Sequence, residues 1–266
     1  MRYCNLHQHS TFSDGKNSPE EIVLSAISND MESIGFSDHA RTPFEAFRGV
    51  TNKNKCTYST IINNLNEKYK DKIHIFKGVE IDFYSNIETT DFDYVIGSVH
   101  YLFKNGVYLP IDFSKELQIC AIRDFYNDTP LLYVKDYYKT VVECINKFKP
   151  DIIGHFDLLT KFYLFDEDDP SYQKIALDAL EKCLSVTPIL ELNTGAISRG
   201  YKKEPYPAPF ILQHALNKGA KIILSSDSHS SQSVICHFDQ SVNLLKQVGF
   251  KSIVKLTKNG FTEVVI

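Results

Sequence analysis

Two histidines one residue apart, His7-Gln8-His9, begin the chemistry of this chain. They lie in an alternating segment, residues 3–9, and alternate residues of a strand point to the same side. The pair can therefore converge on one metal ion at the strand's end. Ligand-type side chains recur at comparable places: Asp14 in the loop that follows, then His39, Glu80, His100, His155, and finally Asp227 and His229. Imidazoles mixed with carboxylates suit zinc, manganese or iron, and the lack of cysteine in the set argues against a structural zinc site. The set exceeds what one ion needs, so two or three divalent metal ions are expected. Such a site is suited to hydrolysis, above all of phosphate esters. Taken singly, His100 could be a hydrogen-bonded core histidine, Glu80 half of a buried ion pair, and His155 the cap of a turn. Recurrence at one strand end after another favours the metal reading.

The elements that must position these residues alternate along the whole chain. Ser18, Pro19 and Glu21 form a capping box with proline at the first helical position. They open a helix to about residue 29, with Ile22, Val23, Ala26 and Ile27 on one face. Strands are predicted over 33–37, 73–83, 94–99, 151–154, 188–193, 221–226 and 252–256. Helices are predicted over 58–69, 134–148, 171–184, 209–217 and 240–248. Residues 101–130 lack periodicity, and so long a connection reads as a functional lid. Repeated β-α units without a linker or repeat predict one α/β domain over residues 1–266, a parallel barrel closed on itself. Catalytic residues of such barrels sit where strands end, which is where the candidate ligands fall.

Composition narrows the function further. The chain has 266 residues, 43% of them hydrophobic, enough for a sizeable core. A net charge of -4 offers no basic face for nucleic acid. No apolar run approaches the ~18 residues of a membrane span, and the polar N-terminus does not read as a signal peptide. Cys4, Cys56, Cys120, Cys144, Cys183 and Cys236 are scattered without paired spacing, as reduced thiols of a cytoplasmic protein would be.

Several motifs together resemble the PHP (polymerase and histidinol phosphatase) superfamily. They are His7-x-His9, Ser13-Asp14-Gly15, Ser37-Asp38-His39, Gly78-x-Glu80, Gly97-Ser98-Val99-His100, Gly154-His155 and Ser226-Asp227-x-His229. The segments 97–101, 154–158 and 191–199 are similar to its histidinol-phosphatase branch. The resemblance implies a distorted (β/α)7 TIM-like barrel and a trinuclear centre. His7, His9, Glu80 and Asp227 would hold one ion, Glu80 would bridge to a second on His100 and His155, and Asp14, His39 and His229 would hold the third. It also implies hydrolysis of L-histidinol phosphate to L-histidinol and phosphate in histidine biosynthesis, with Glu80, Asp227 and His229 at the reacting atoms. Arg199 is the expected phosphate clamp and Lys161 a second positive charge. Asp38 and Asp157, beside ligands, could orient imidazoles. Asp112, Glu116, Asp124 and Asp128 are acids available in the lid for a cationic alcohol. The expected partner is a small-molecule phosphate ester, with neither nucleic acid nor membrane. Alternatives are another phosphomonoester, a nucleotide or phosphotyrosine, and a non-catalytic metal-binding module.

Overall fold

The computed structural model describes residues 2–45 and 49–266. The chain runs β1 (Cys4–Asn5), α1 (Pro19–Ser28), β2 (Ser33–Phe36), α2 (Lys55–Tyr69), β3 (His74–Asp82) and β4 (Tyr94–Ser98). A hairpin, β5 (Tyr101–Lys104) and β6 (Val107–Pro110), and the helices α3 (Lys115–Phe125) and α4 (Pro130–Phe148) follow. Then come β7 (Ile152–Ile153), α5 (Pro170–Leu184), β8 (Ile189–Asn193), the short α6 (Gly195–Ser198), α7 (Pro209–Asn217) and β9 (Lys221–Ser225). Helix α8 (Phe238–Val248) and the hairpin β10 (Ser252–Thr257) and β11 (Gly260–Val265) complete the fold.

Seven strands form one parallel sheet in the order β1-β2-β3-β4-β7-β8-β9. The ring closes above β1, where Gln8 bridges Ser228 and the His9 amide donates to the Ser228 carbonyl at 2.9 Å. This is the expected seven-stranded barrel, with α-helices covering the outside. Its strands are buried on both faces, so they carry near-continuous apolar runs such as Tyr94-Val95-Ile96 rather than strict alternation. Tyr94 fills the interior: its ring lies where a Cβ on Gly35 or Gly78 would sit, 2.4 Å and 2.2 Å from its atoms, and its hydroxyl donates to the Leu6 carbonyl. Helix α1 starts as its motif requires. The Glu21 carboxylate accepts the Ser18 amide at 2.8 Å, and the Ser18 hydroxyl accepts the Glu21 amide.

Three expectations need correction. Residues 101–130 are not an aperiodic lid: they contain the antiparallel β5–β6 hairpin and α3, whose Ala121 and Ile122 join the core. The hairpin was missed because its alternating residues are half exposed, and α3 because its apolar face is short. The strand predicted over 252–256 is real but lies outside the ring, paired antiparallel with β11. The N-terminal strand is only two residues long, because the chain leaves the ladder at Leu6 to deliver His7 and His9 to the rim. Tyr137 and Tyr138 of α4 are core, and all six cysteines are free.

Candidate metal centre

Every candidate ligand arrives at the same end of the barrel. His7 and His9 leave β1, Asp14 sits in the loop to α1, and His39 follows β2. Glu80 is within β3, bridged to His39. His100 follows β4, His155 follows β7, and Asp227 and His229 follow β9. The C-terminal rim of a parallel barrel is where loops can converge while the strands beneath stay rigid. Asp227 takes a left-handed backbone, φ 44°, a conformation that aspartate tolerates better than most residues.

Glu80 is the hub. Its Oε2 lies 2.8 Å from His39 Nδ1, 3.3 Å from His7 Nε2 and 3.6 Å from His9 Nε2. Its Oε1 lies 3.0 Å from His155 Nε2 and 3.5 Å from His100 Nε2. Asp227 Oδ1 approaches His9 Nε2 at 3.2 Å and His7 Nε2 at 3.7 Å. Asp14 faces His229 Nε2 at 3.1 Å and His39 Nε2 and His9 Nδ1 at 3.7 Å. Four overlapping groups emerge: His9, Asp14, His39 and His229; His7, Glu80 and His155; His7, His9 and Asp227; and His39, Glu80 and His100. Within each, the donor atoms lie within 4.8 Å of one another, close to the ~4 Å span that two donors on one zinc can reach. All nine predicted ligands are thus brought together. Asp14, His39 and His229 fall together, as do His7, His9 and Asp227, as the resemblance implied; His100, however, groups with His39 and His155 with His7, with Glu80 common to both.

The donor set fits divalent ions. His7 Nε2, both His9 ring nitrogens, Glu80 Oε2 and His155 Nδ1 are buried without a hydrogen-bond partner. Orphaned buried polar atoms are costly, and five in one knot call for a cation. The same groups also set one another's charge. Burial opposes charge on His39, but Glu80 and Asp14 lift it to about 10, and Glu80 and Asp82 lift His100 to about 9. Burial, reinforced by His229 and His39, pushes His9 down to about 3. The Glu80 carboxyl is held well below its usual range, its burial outweighed by His7, His39 and His100. Asp227 behaves likewise beside Arg199 and His7.

Around this knot lies a cavity of about 390 Å³, lined by Asp14, His39, His100, His155, Asp227 and His229. Arg41, Glu45, Tyr101, Asp112, Lys161 and Arg199 line it as well. Arg199 donates through Nη1 to the Asp227 carbonyl at 2.9 Å and through Nη2 to Asp227 Oδ2 at 3.1 Å, and its Nη1 lies 2.9 Å from His229 Nδ1. Lys161 is not a solvated lysine: its ammonium donates to Asp112 Oδ2 at 2.9 Å and to the Asp112 carbonyl at 2.7 Å. Of the four lid acids, only Asp112 faces the cavity; Asp124 pairs with Arg123 on the surface.

Asp38 and Asp157 do not orient imidazoles. Asp38 accepts the amides and hydroxyls of Ser10 and Ser13, bracing the loop that carries Asp14. Asp157 accepts the Ala208 amide at the start of α7. Two other carboxylates reach ligands instead. Asp82 Oδ2 accepts the His100 amide at 2.7 Å, and Glu191 Oε1 lies 2.6 Å from His7 Nδ1. The signal for Asp82 was the alternation Glu80-x-Asp82, which puts both on one face of β3.

A nearly closed parallel barrel whose rim gathers four overlapping histidine and carboxylate groups defines an α/β barrel with a candidate metal site. The chain belongs to the PHP domain family, whose pattern matches residues 5–195. It is 26% identical over 90% of its length to a Schizosaccharomyces pombe protein named "Probable histidinol-phosphatase", 84% of which is covered. It is 28% identical over 94% of its length to a Deinococcus radiodurans protein of the same name, covering 95% of it. Its fold matches the crystal structure of histidinol phosphate phosphatase from Lactococcus lactis, complexed with zinc, L-histidinol and phosphate. That match has a TM-score of 0.76 at 23% identity and covers 98% of this chain and 99% of the other. No helix among the described residues is long and apolar enough to cross a membrane.

Proposed function

We propose that residues 1–266 form one metal-dependent phosphatase domain acting as a histidinol-phosphatase. It would hydrolyse L-histidinol phosphate to L-histidinol and phosphate in histidine biosynthesis. The observation that carries this reading is the set of four overlapping ligand groups on one cavity that also presents a guanidinium. The names of the full-length relatives supply the substrate.

Two or three divalent ions, zinc, manganese or iron, would be held by His7, His9, Asp14, His39, Glu80, His100, His155, Asp227 and His229. When bound, such ions lower the pKa of water and offset charge on phosphoryl oxygens. The protein's own residues bind and orient the ester. Arg199, anchored on Asp227, keeps part of its fork toward the cavity for a phosphoryl oxygen. The Lys161–Asp112 pair lies on the same cavity, where the ammonium adds a second positive charge and the carboxylate faces a cationic alcohol. Asp227 and His229 line the cavity beside Arg199, next to where the ester's leaving oxygen would lie.

The test is phosphate release from L-histidinol phosphate, p-nitrophenyl phosphate and a nucleoside monophosphate, each with added zinc or manganese. A kcat/KM for histidinol phosphate at least about a hundredfold above the others, roughly 2.7 kcal/mol of discrimination, is expected. Comparable turnover of all three discards the substrate, and no turnover with metal bound discards the enzyme.

A further inference from the structure

Glu191 lies in the middle of β8, with no exposed surface. It is not among the side chains that face the cavity, and it belongs to none of the four ligand groups. Both of its oxygens are nevertheless committed to the centre. Oε1 is 2.6 Å from His7 Nδ1. Oε2 accepts the backbone amide of His155 at 2.7 Å and the Asn193 side-chain amide at 2.9 Å. Asn193 is itself anchored, since its Oδ1 accepts the Gly195 amide at 2.8 Å. One carboxylate therefore connects ligands that enter from opposite sides of the ring, His7 after β1 and His155 after β7.

We propose that Glu191 is the positioning residue of the metal centre, fixing the tautomer of His7 and the placement of His155 through one buried carboxylate. The proposal rests on reading the rim as a metal site. A carboxylate can only accept, so the ring nitrogen it faces, His7 Nδ1, must carry the hydrogen. With an ion bound, Nε2 would then present the lone pair; it is the orphaned atom turned toward Glu80 and Asp227. Histidines that ligate metals are commonly held by a carboxylate in this way, which also makes the imidazole a better donor. The second oxygen acts on the main chain rather than on a ring: it draws the turn after β7 inward, so that the His155 side chain meets Glu80 at 3.0 Å. A buried carboxylate is tolerated because all its contacts are with donors.

Glu191→Gln separates this role from simple packing, because it keeps the shape and changes only what the group accepts. Glutamine has one oxygen, so it cannot receive both His7 and the His155 amide. An amide NH2 placed against Nδ1 would force the hydrogen onto Nε2 and remove the ligand. The experiment measures bound metal by elemental analysis and zinc affinity by chelator competition, in wild type and Glu191→Gln, beside far-UV circular dichroism. The expected result is an unchanged fold with at least one zinc bound about 10- to 100-fold more weakly, and activity partly recovered by excess zinc. Native affinity in a folded Glu191→Gln protein overturns the proposal. A readout without any variant comes from long-range 1H–15N spectra of the zinc-loaded wild type labelled at histidine. His7 protonated on Nδ1 supports the assignment, and His7 protonated on Nε2 overturns it, even if the variant fails to fold. A wild type that binds no zinc would instead refute the metal reading on which the proposal rests.

Discussion

Stripping the metal should cost this protein a large share of its thermal stability. Five buried polar atoms, on His7, His9, Glu80 and His155, make no hydrogen bond in the protein, although His7 Nε2, His9 Nε2 and Glu80 Oε2 lie within ion-pair distance of a neighbour. Leaving a buried polar group unsatisfied costs about 1–3 kcal/mol, so the knot carries a liability of several kcal/mol even after its close ion pairs are counted. That is comparable with the whole net stability of a typical domain. An ion that binds only the folded state and is present at a thousand times its Kd returns about 4 kcal/mol. For a chain of this size each kcal/mol moves Tm by about 2–4 °C, so one ion should raise Tm by about 8–16 °C, and a second should add to it. The assay is thermal unfolding of chelator-stripped protein, repeated after addition of zinc or manganese, with elemental analysis of each sample. Glu80→Gln is the internal control, because Glu80 faces five imidazoles and its loss should remove most of the gain. A shift below about 3 °C with metal demonstrably bound would refute the reasoning, since the orphaned donors would then not be what the ions satisfy.

Other consequences are open to direct measurement. Arg199→Ala should raise KM for the phosphate ester roughly 10- to 150-fold, the equivalent of a charged hydrogen bond of about 1.5–3 kcal/mol, with metal content intact; unchanged steady-state kinetics would remove its role. Gly78→Ala places a Cβ 2.2 Å from the Tyr94 ring inside the barrel, so it should destabilise by about 1–3 kcal/mol or more in urea titration, whereas a neutral result would mean that Tyr94 can move aside. Burial pushes the Cys183 thiol up to about 12, so at pH 8 it stays protonated and shielded, and a thiol reagent should modify exposed Cys56 first and Cys183 only after unfolding. The sign follows from the shift: reactivity of a raised thiol grows only as pH climbs toward its pKa, and rapid labelling of native Cys183 at pH 8 would contradict its burial.

Much of the architecture was legible in the chain because local rules and tertiary demands agree there. The capping box at Ser18 starts α1, apolar runs of strand length mark the buried parallel strands, and ligand-type residues follow those runs one after another. The register of chemistry to strand ends is itself a sequence pattern, since a barrel needs its functional side chains where strands stop. Agreement failed where an element is held mainly by what it packs against. The β5–β6 hairpin pairs only with itself and lies half exposed, and α3 buries a short face, so neither shows a clear period. The two-residue β1 could not be told from a longer strand, because alternation continues through His9 even after the ladder ends.

The residue types of the metal centre, their order and their place after successive strands were determined by the sequence alone. Which candidate donors lie together was decided only by closure of the ring, which puts His9 against Asp14, His39 and His229 and leaves Glu80 common to two groups. The supporting carboxylates were likewise a tertiary matter. Asp38 and Asp157 stand next to ligands in sequence yet bind serines and a helix start, while Glu191, 184 residues from His7, holds its ring. A hydrogen bond depends on distance in space and on the direction of a lone pair, and neither is written in the spacing of residues along a chain.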